Sequence, residues 1–238
     1  MTRFSALPPI AVIDFETTGI SPGQGARATE VAIVLLEDGR VVDRFQSLMN
    51  AGVHVPYFIT QLTGITNAMV AAAPLAEHVM DDAARFVGDA PMVAHNAAFD
   101  RKFWQAELAL ADCPAEHAFA CTVLLSRRLY PAAPNLKLGS LVDFHGLPRF
   151  GAAHRALADA EMAAALLGQI QHDLRQRWRV ARPEHGLLMA LQRCAKPGVG
   201  ALLAQHAEPA AAPVAASTSA DPSSDSSADT LHRPLTAA

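Results

Sequence analysis

Ile10-Ala11-Val12-Ile13-Asp14-Phe15-Glu16-Thr17-Thr18-Gly19 is the stretch on which the fold turns. Its first four residues form a short continuous apolar run, which suits a strand buried on both faces. Asp14 and Glu16 follow at once. Side chains at i and i+2 of a strand share a face, so this pair can converge on a hard cation that prefers oxygen ligands. An Asp-x-Glu alone is common on protein surfaces. Its weight here comes from its place at the end of a core strand, where an unpaired charge is costly to desolvate.

Working outward, Gly19 to Gly25 is rich in turn residues, including Ser21-Pro22-Gly23. Residues 31–36 and 41–49 read as strands joined by Glu37-Asp38-Gly39-Arg40, and Asp-Gly between apolar runs is a strong hairpin signal. From Pro74 the pattern alternates between helix and strand: helices near 75–87 and 97–108 flank a short strand at 92–94. A further strand near 118–120 precedes helices near 122–129 and 136–144. A long helix follows from Ala156 to about Arg177, with Leu157, Met162, Leu166, Ile170 and Leu174 at helical spacing. Three strands first and alternating helices later predict an α/β domain with a mixed sheet.

The length of 238 residues and 51% apolar content predict one full-sized core with appendages. The main domain is expected over 1–172. Residues 173–206 read as a basic helical extension carrying Arg175, Arg177, Arg179 and Arg182, with a short helix near 184–194. That cluster suits either a solvated helix face or contact with a nucleic-acid backbone. From 207 to 238 the chain is mostly Ala, Pro, Ser, Thr and Asp with almost no large apolar residue, which predicts disorder. The N-terminal residues lack a long apolar run, so neither a signal peptide nor a membrane partner is expected. Cys113, Cys121 and Cys194 are odd in number and lack Cys-x-x-Cys spacing, which points to free thiols in a reducing cytoplasm.

The formal net charge of −4 is concentrated in the main part, where residues 1–170 hold 12 Lys and Arg against 17 Asp and Glu. A protein that coats duplex DNA shows a basic stripe. A carboxylate-lined site instead brings its positive charge in as bound cations, and the charge balance favours that kind.

Two more segments carry acidic residues in suitable settings. His95-Asn96-Ala97-Ala98-Phe99-Asp100 leaves the strand at 92–94 and enters the next helix, which puts Asp100 early in that helix. Read alone, Asn96 is a helix cap, Asp100 complements a helix dipole, and His95 is structural. His154-Arg155-Ala156-Leu157-Ala158-Asp159 opens the long helix. The spacing lets His154 sit on a loop while Asp159 projects from the helix toward the same place. A neutral imidazole there can take a proton from a water acidified by a metal ion. Phosphodiester hydrolysis gives a reason to gather four carboxylates and one histidine, because two cations about 3.5–4 Å apart stabilise both the attacking and the leaving oxygen.

Together the three segments resemble the three motifs of the DEDDh exonuclease family, the group that includes the proofreading epsilon subunit of bacterial DNA polymerase III. Asp14 and Glu16 match the first motif, Asp100 the second, and His154 with Asp159 the third, the His-x₄-Asp form separating this branch from relatives with Tyr-x₃-Asp. Residues 59–66, Ile-Thr-Gln-Leu-Thr-Gly-Ile-Thr, are similar to the family's segment beside the terminal nucleotide, although Gly64 equally marks an ordinary helix end. Asn135-Leu136-Lys137-Leu138 resembles its helix-opening Leu motif.

Over roughly residues 8–172 the resemblance implies a ribonuclease H-like fold with a central mixed five-stranded sheet. It also implies two Mg²⁺ or Mn²⁺ ions held by Asp14, Glu16, Asp100 and Asp159, His154 as general base, and release of 5′-mononucleotides from 3′ ends. Thr17 and Thr18 would lie beside the phosphate and terminal sugar, Leu62 and Ile65 beside the base, and His95 and Asn96 are placed with them as substrate contacts. Thr17 is equally a turn residue whose hydroxyl satisfies nearby backbone.

The implied partners are single-stranded or frayed DNA 3′ ends and, in a proofreading setting, the DNA polymerase III catalytic subunit. No clamp-binding motif stands near Gln192 or Gln205. An RNA-trimming enzyme of the oligoribonuclease or ribonuclease T type is the competing reading. A non-catalytic nucleic-acid-binding module is the third, and the presence of all four carboxylates counts against it.

Overall fold

The apolar run that opens the sequence becomes the middle of a sheet. The structure, a computed structural model, describes residues 8–151 and 154–208. Strand β1 (Ile10–Thr17) pairs antiparallel with β2 (Ala28–Glu37) on one side and parallel with β4 (Met92–Ala94) on the other. Strands β3 (Arg40–Leu48) and β5 (Phe119–Cys121) complete the order β3-β2-β1-β4-β5, a mixed five-stranded sheet. The β2–β3 hairpin turns at Asp38 and Gly39, both with positive φ (46° and 79°). Such a two-residue turn matches the twist of the flanking strands, and Asp-Gly tolerates it.

β1 runs past Ile13 through both carboxylates, because its ladder with β2 continues to Glu16 opposite Glu30 and slips only between Glu16 and Thr17. Asp14 and Glu16 therefore lie within the strand and not beyond its end. The helices are α1 (Tyr57–Thr63), α2 (Asn67–Ala71), α3 (Ala76–Val87), α4 (Ala97–Leu110), α5 (Thr122–Leu129), α6 (Leu138–Phe144), α7 (Ala156–Trp178), α8 (His185–Arg193) and α9 (Val199–His206). The short α2 and α9 were not expected from the sequence. α1 stops at Gly64, which has φ 73° and ends the helix in the left-handed conformation that glycine adopts without penalty.

Alternation along the strands sends side chains to two cores. Ile10, Val12, Ala32, Val34 and Val93 pack with α7, while Ala11, Ile13, Phe15, Val31 and Ile33 pack with α3 and α4. α7 presents Ala160, Ala163 and Ala164 as well as Leu166, Leu167, Ile170 and Leu174, all buried. Small residues let the helix lie close, and each Leu taken out of water contributes about 1.5–3 kcal/mol. At Gly168 the helix lies close against the hairpin: an added Cβ would stand 3.4 Å from the Gly39 carbonyl oxygen at the hairpin tip.

α7 crosses position 172 without a break. Beyond it, Leu187, Leu188 and Leu191 of α8 and Leu203 of α9 enter the same core as β1 and α7. Gln192 also closes the sheet edge, since its side chain accepts from Cys121 N (2.7 Å) and donates to Phe119 O (3.1 Å), as a neighbouring strand would. Of the tail expected from 207, residues from 209 onward lie outside the described residues. Among the described residues, no helix is long and apolar enough to cross a membrane.

Candidate active site

The two parallel pairings bring the C-terminal ends of β1, β4 and β5 to one edge of the sheet, where α4 and α5 begin. Open α/β sheets commonly bind ligands at this edge. Asp14 and Glu16 project from β1 onto the face that carries Ile10 and Val12, the α7 side. Asp159 stands in the first turn of α7. His154, just before that helix, is exposed with a left-handed φ of 60°, and its backbone N–H donates to Asp159 Oδ2 at 3.2 Å. One ligand atom each from Glu16, His154 and Asp159 lie within 4.8 Å of one another.

Asp100 comes from the opposite side. β4 turns into α4 through Asn96, which has φ 70°, occupies the position before the helix and makes no capping hydrogen bond with its side chain. The sharp turn puts Asp100 in the first turn of α4, 2% exposed, where Oδ1 accepts from Phe15 N at 3.3 Å.

Electrostatics report the crowding. Burial pushes Asp14 well above the usual carboxylate range, and repulsion from Asp100, Asp159, Glu16 and Glu30 adds to it. Burial, followed by Asp159 and Glu30, raises Glu16 to about 7 against the pull of Arg155. Asp100 reaches about 8 through burial, opposed by the backbone N–H bonds it accepts. Burial raises Asp159 too, while His154 opposes the rise. Carboxylates gathered out of water without a counter-charge hold protons; cations would take the place of those protons. The donors are hard oxygens plus one imidazole, a set that suits divalent cations of the Mg²⁺ or Mn²⁺ kind.

A cleft of about 730 Å³ opens beside these groups. Asp14, Glu16, Asp159 and His154 line one part of it, and Ile20, Phe58, Leu62 and Phe99 line apolar parts. Thr17, Thr18 and Leu62 fall on its wall as substrate-contact candidates. Thr17 Oγ1 donates to Gly19 O (2.7 Å) and Thr18 Oγ1 accepts from Arg27 N (3.0 Å), so both hydroxyls also shape the turn. Ile65 is fully buried with Val55, Ile59 and Val70, behind the wall and not on it. Neither His95 nor Asn96 lines the cleft.

His95 instead bridges elements: Nε2 lies 3.0 Å from Leu136 O and Nδ1 2.8 Å from Thr122 Oγ1. A carbonyl only accepts, so Nε2 carries the proton and Nδ1 takes the threonine hydroxyl. Burial lowers its pKa to about 4, which keeps the ring neutral. Sequence reasoning missed Ile20, His54, Phe58 and Phe99, all on the cleft wall. It also missed Glu30, whose one signal was a charge at the head of the apolar run 31–36.

A mixed sheet of this order, with carboxylates converging from its central strand and from the first turns of two helices, defines an acidic hydrolytic centre on a ribonuclease H-like fold. Residues 11–167 match the exonuclease family RNase_T, and the chain belongs to it. The chain is 38% identical over 170 residues to the 3′-5′ exonuclease DinG of Bacillus subtilis, covering 69% of this chain and 18% of that protein. It is 32% identical over 164 residues to the DNA polymerase III epsilon subunit of Aquifex aeolicus, covering 68% of this chain and 80% of that protein. Among solved structures, exonuclease X in complex with 5′ overhanging duplex DNA matches with a TM-score of 0.57 at 30% identity, covering 68% of this chain and 91% of that one. The chain spans less than a fifth of the length of DinG and of the PolC-type polymerases it also matches.

Proposed function

We propose that the chain is a 3′→5′ exonuclease that hydrolyses the terminal phosphodiester of single-stranded or frayed DNA and releases 5′-mononucleotides. The observation that carries the reading is the convergence of Glu16, Asp159 and His154 within 4.8 Å at the cleft that Asp14 also lines. The 3′→5′ direction and DNA as substrate follow the likeness to DinG and to the epsilon subunit.

Asp14, Glu16, Asp100 and Asp159 would hold two divalent cations, Mg²⁺ or Mn²⁺. When bound, such ions neutralise phosphate charge and bring the pKa of water toward neutrality. The protein's own groups do the rest. His154, at the solvent edge of the cleft, accepts the proton of the attacking water through an imidazole nitrogen. Leu62 and the exposed Phe58 offer an apolar wall to the terminal base, and stacking of this kind tolerates every base. The Thr17-Thr18 turn lines the same cleft, where it would lie beside the sugar and phosphate of a bound 3′ end.

A proofreading setting, with the DNA polymerase III catalytic subunit as partner, rests on the epsilon likeness, and co-purification of the two chains tests it. Substrate class is tested by degrading matched DNA and RNA oligonucleotides in Mn²⁺. Faster removal of deoxynucleotides is expected, and a strong preference for RNA would replace this reading by an RNA-trimming one.

A further inference from the structure

The general base sits on a segment that the core does not hold. His154 precedes α7, is exposed, and takes a left-handed backbone conformation. Asp159, one turn further on, belongs to a helix anchored by Ala156, Ala160, Ala163 and Leu167 in the core. The His154 backbone N–H is tied to Asp159 Oδ2 (3.2 Å), and the residue that follows His154 adds a second tie, to the sheet.

Arg155 Nε and Nη2 donate to Glu30 Oε2 (3.1 Å) and Oε1 (2.8 Å), a bidentate pair from the start of α7 to β2. Glu30 is fully buried and makes two more bonds, accepting from Ala156 N at 3.1 Å and from Gln46 Nε2 at 2.8 Å. Arg155, the residue at the head of α7, makes no side-chain capping bond there, so the helix is capped from another strand. A carboxylate at a helix N-terminus satisfies an orphan N–H and complements the helix dipole. Glu30 also stands directly opposite Glu16 in the β1–β2 ladder. One buried side chain thereby links the strand that carries Asp14 and Glu16 to the side chain of the residue after His154 and to the backbone N–H of Ala156, one position further on.

We propose that Glu30 and Arg155 form a positioning clamp that sets His154 over the site and thereby governs the hydrolytic step, without touching substrate. This rests on the exonuclease reading. The clamp acts chiefly on His154, because α7 and hence Asp159 are fixed by core packing whether or not the pair is made.

The test is Glu30→Gln, which keeps the shape and removes the charge, assayed on a single-stranded DNA oligonucleotide in Mn²⁺ at a temperature well below unfolding. Misplacing a catalytic group by about 1 Å costs on the order of 10²-fold, so a fall in kcat of about 10- to 100-fold is expected. KM and calorimetric Mn²⁺ affinity should stay within about twofold, the pattern of an interaction made only in the transition state. Combined with His154→Ala, Glu30→Gln should change kcat less than about twofold further, since the group it positions is gone. Because Glu30→Gln leaves the partly exposed Arg155 guanidinium without its carboxylate, Glu30→Gln/Arg155→Met, which removes both charges, is measured beside it and should show the same fall. Unchanged kcat in a folded variant, an equal loss of Mn²⁺ binding, or an undiminished effect in the His154→Ala background would each overturn the clamp. A wild-type chain that hydrolyses no oligonucleotide would overturn the exonuclease reading itself, a different result from active wild type with an indifferent Glu30.

Discussion

Glu16→Gln should raise the stability of the cation-free protein while removing its activity. Glu16 is 8% exposed, and its pKa is moved from 4.5 to about 7 by burial and by Asp159 and Glu30. A carboxyl group that holds its proton more tightly folded than unfolded destabilises the fold as pH rises through that interval. The cost is absent below 4.5, grows across the window, and is complete above 7. At about 1.36 kcal/mol per pH unit it amounts to about 3 kcal/mol. Gln is neutral at every pH and avoids it. For a domain of this size 1 kcal/mol moves Tm by about 2–4 °C, so the variant should melt about 6–12 °C above wild type in EDTA at pH 8.

Calorimetric or circular-dichroism melts at pH 5, 6, 7 and 8 read the result directly, and the gap should close toward pH 5. Adding Mn²⁺ should raise wild type more than the variant, because ligand binding to the folded state adds stability in proportion to affinity. A variant that melts at or below wild type at pH 8, or a gap that does not change with pH, would show that Glu16 is not held against its neighbours as described.

Asp14→Ala and Asp159→Ala should each abolish hydrolysis, since one oxygen ligand fewer leaves a hard cation poorly held; turnover at the wild-type rate in either would exclude the site. His154→Ala should slow the chemical step by about 10²–10⁴-fold while single-strand affinity, read by fluorescence anisotropy in Ca²⁺, persists. Glu107→Ala should cost about 3–5 kcal/mol in urea melts, because it strands Arg27, which Glu107 grips through Nε and Nη2, and the Ala28 N–H. A loss under about 1 kcal/mol would mean that the pair is only a surface bridge.

The fold was legible where local chemistry is strong. Asp38-Gly39 announced its hairpin because few other dipeptides accept two positive φ values, and the alanine and leucine spacing of α7 carried its own period. α2 and α9 were not legible: at five and eight residues they are too short to show periodicity, and tertiary contacts hold them. Nor did the local sequence show that α8 would close the β5 edge through Gln192, since one polar side chain pairing with a strand some 70 residues away leaves no local trace.

At the site, the proposed carboxylate ligands and His154 stand out by residue type and spacing, which a charge-bearing strand and two helix starts display openly. Substrate contacts fared differently. Ile65 follows Gly64 and turns inward to the α1–α2 cluster, a direction that depends on the helix end and not on the residue's identity. His95 is polar beside a motif, yet both of its ring nitrogens are taken by Thr122 and Leu136. Glu30 was unreadable because its importance lies in the β1–β2 register and in Arg155, 125 positions away.

If this carboxylate centre cuts from the 3′ end with divalent cations, the polarity and metal dependence of degradation must show it. A single-stranded DNA oligonucleotide labelled at its 5′ end, incubated with the chain in Mn²⁺ and sampled over time on a sequencing gel, tests it most directly. The expected result is a ladder that shortens one nucleotide at a time, is abolished by EDTA, and is absent with Asp14→Ala. Immediate release of the label as a mononucleotide, or shortening that persists in EDTA, would contradict it.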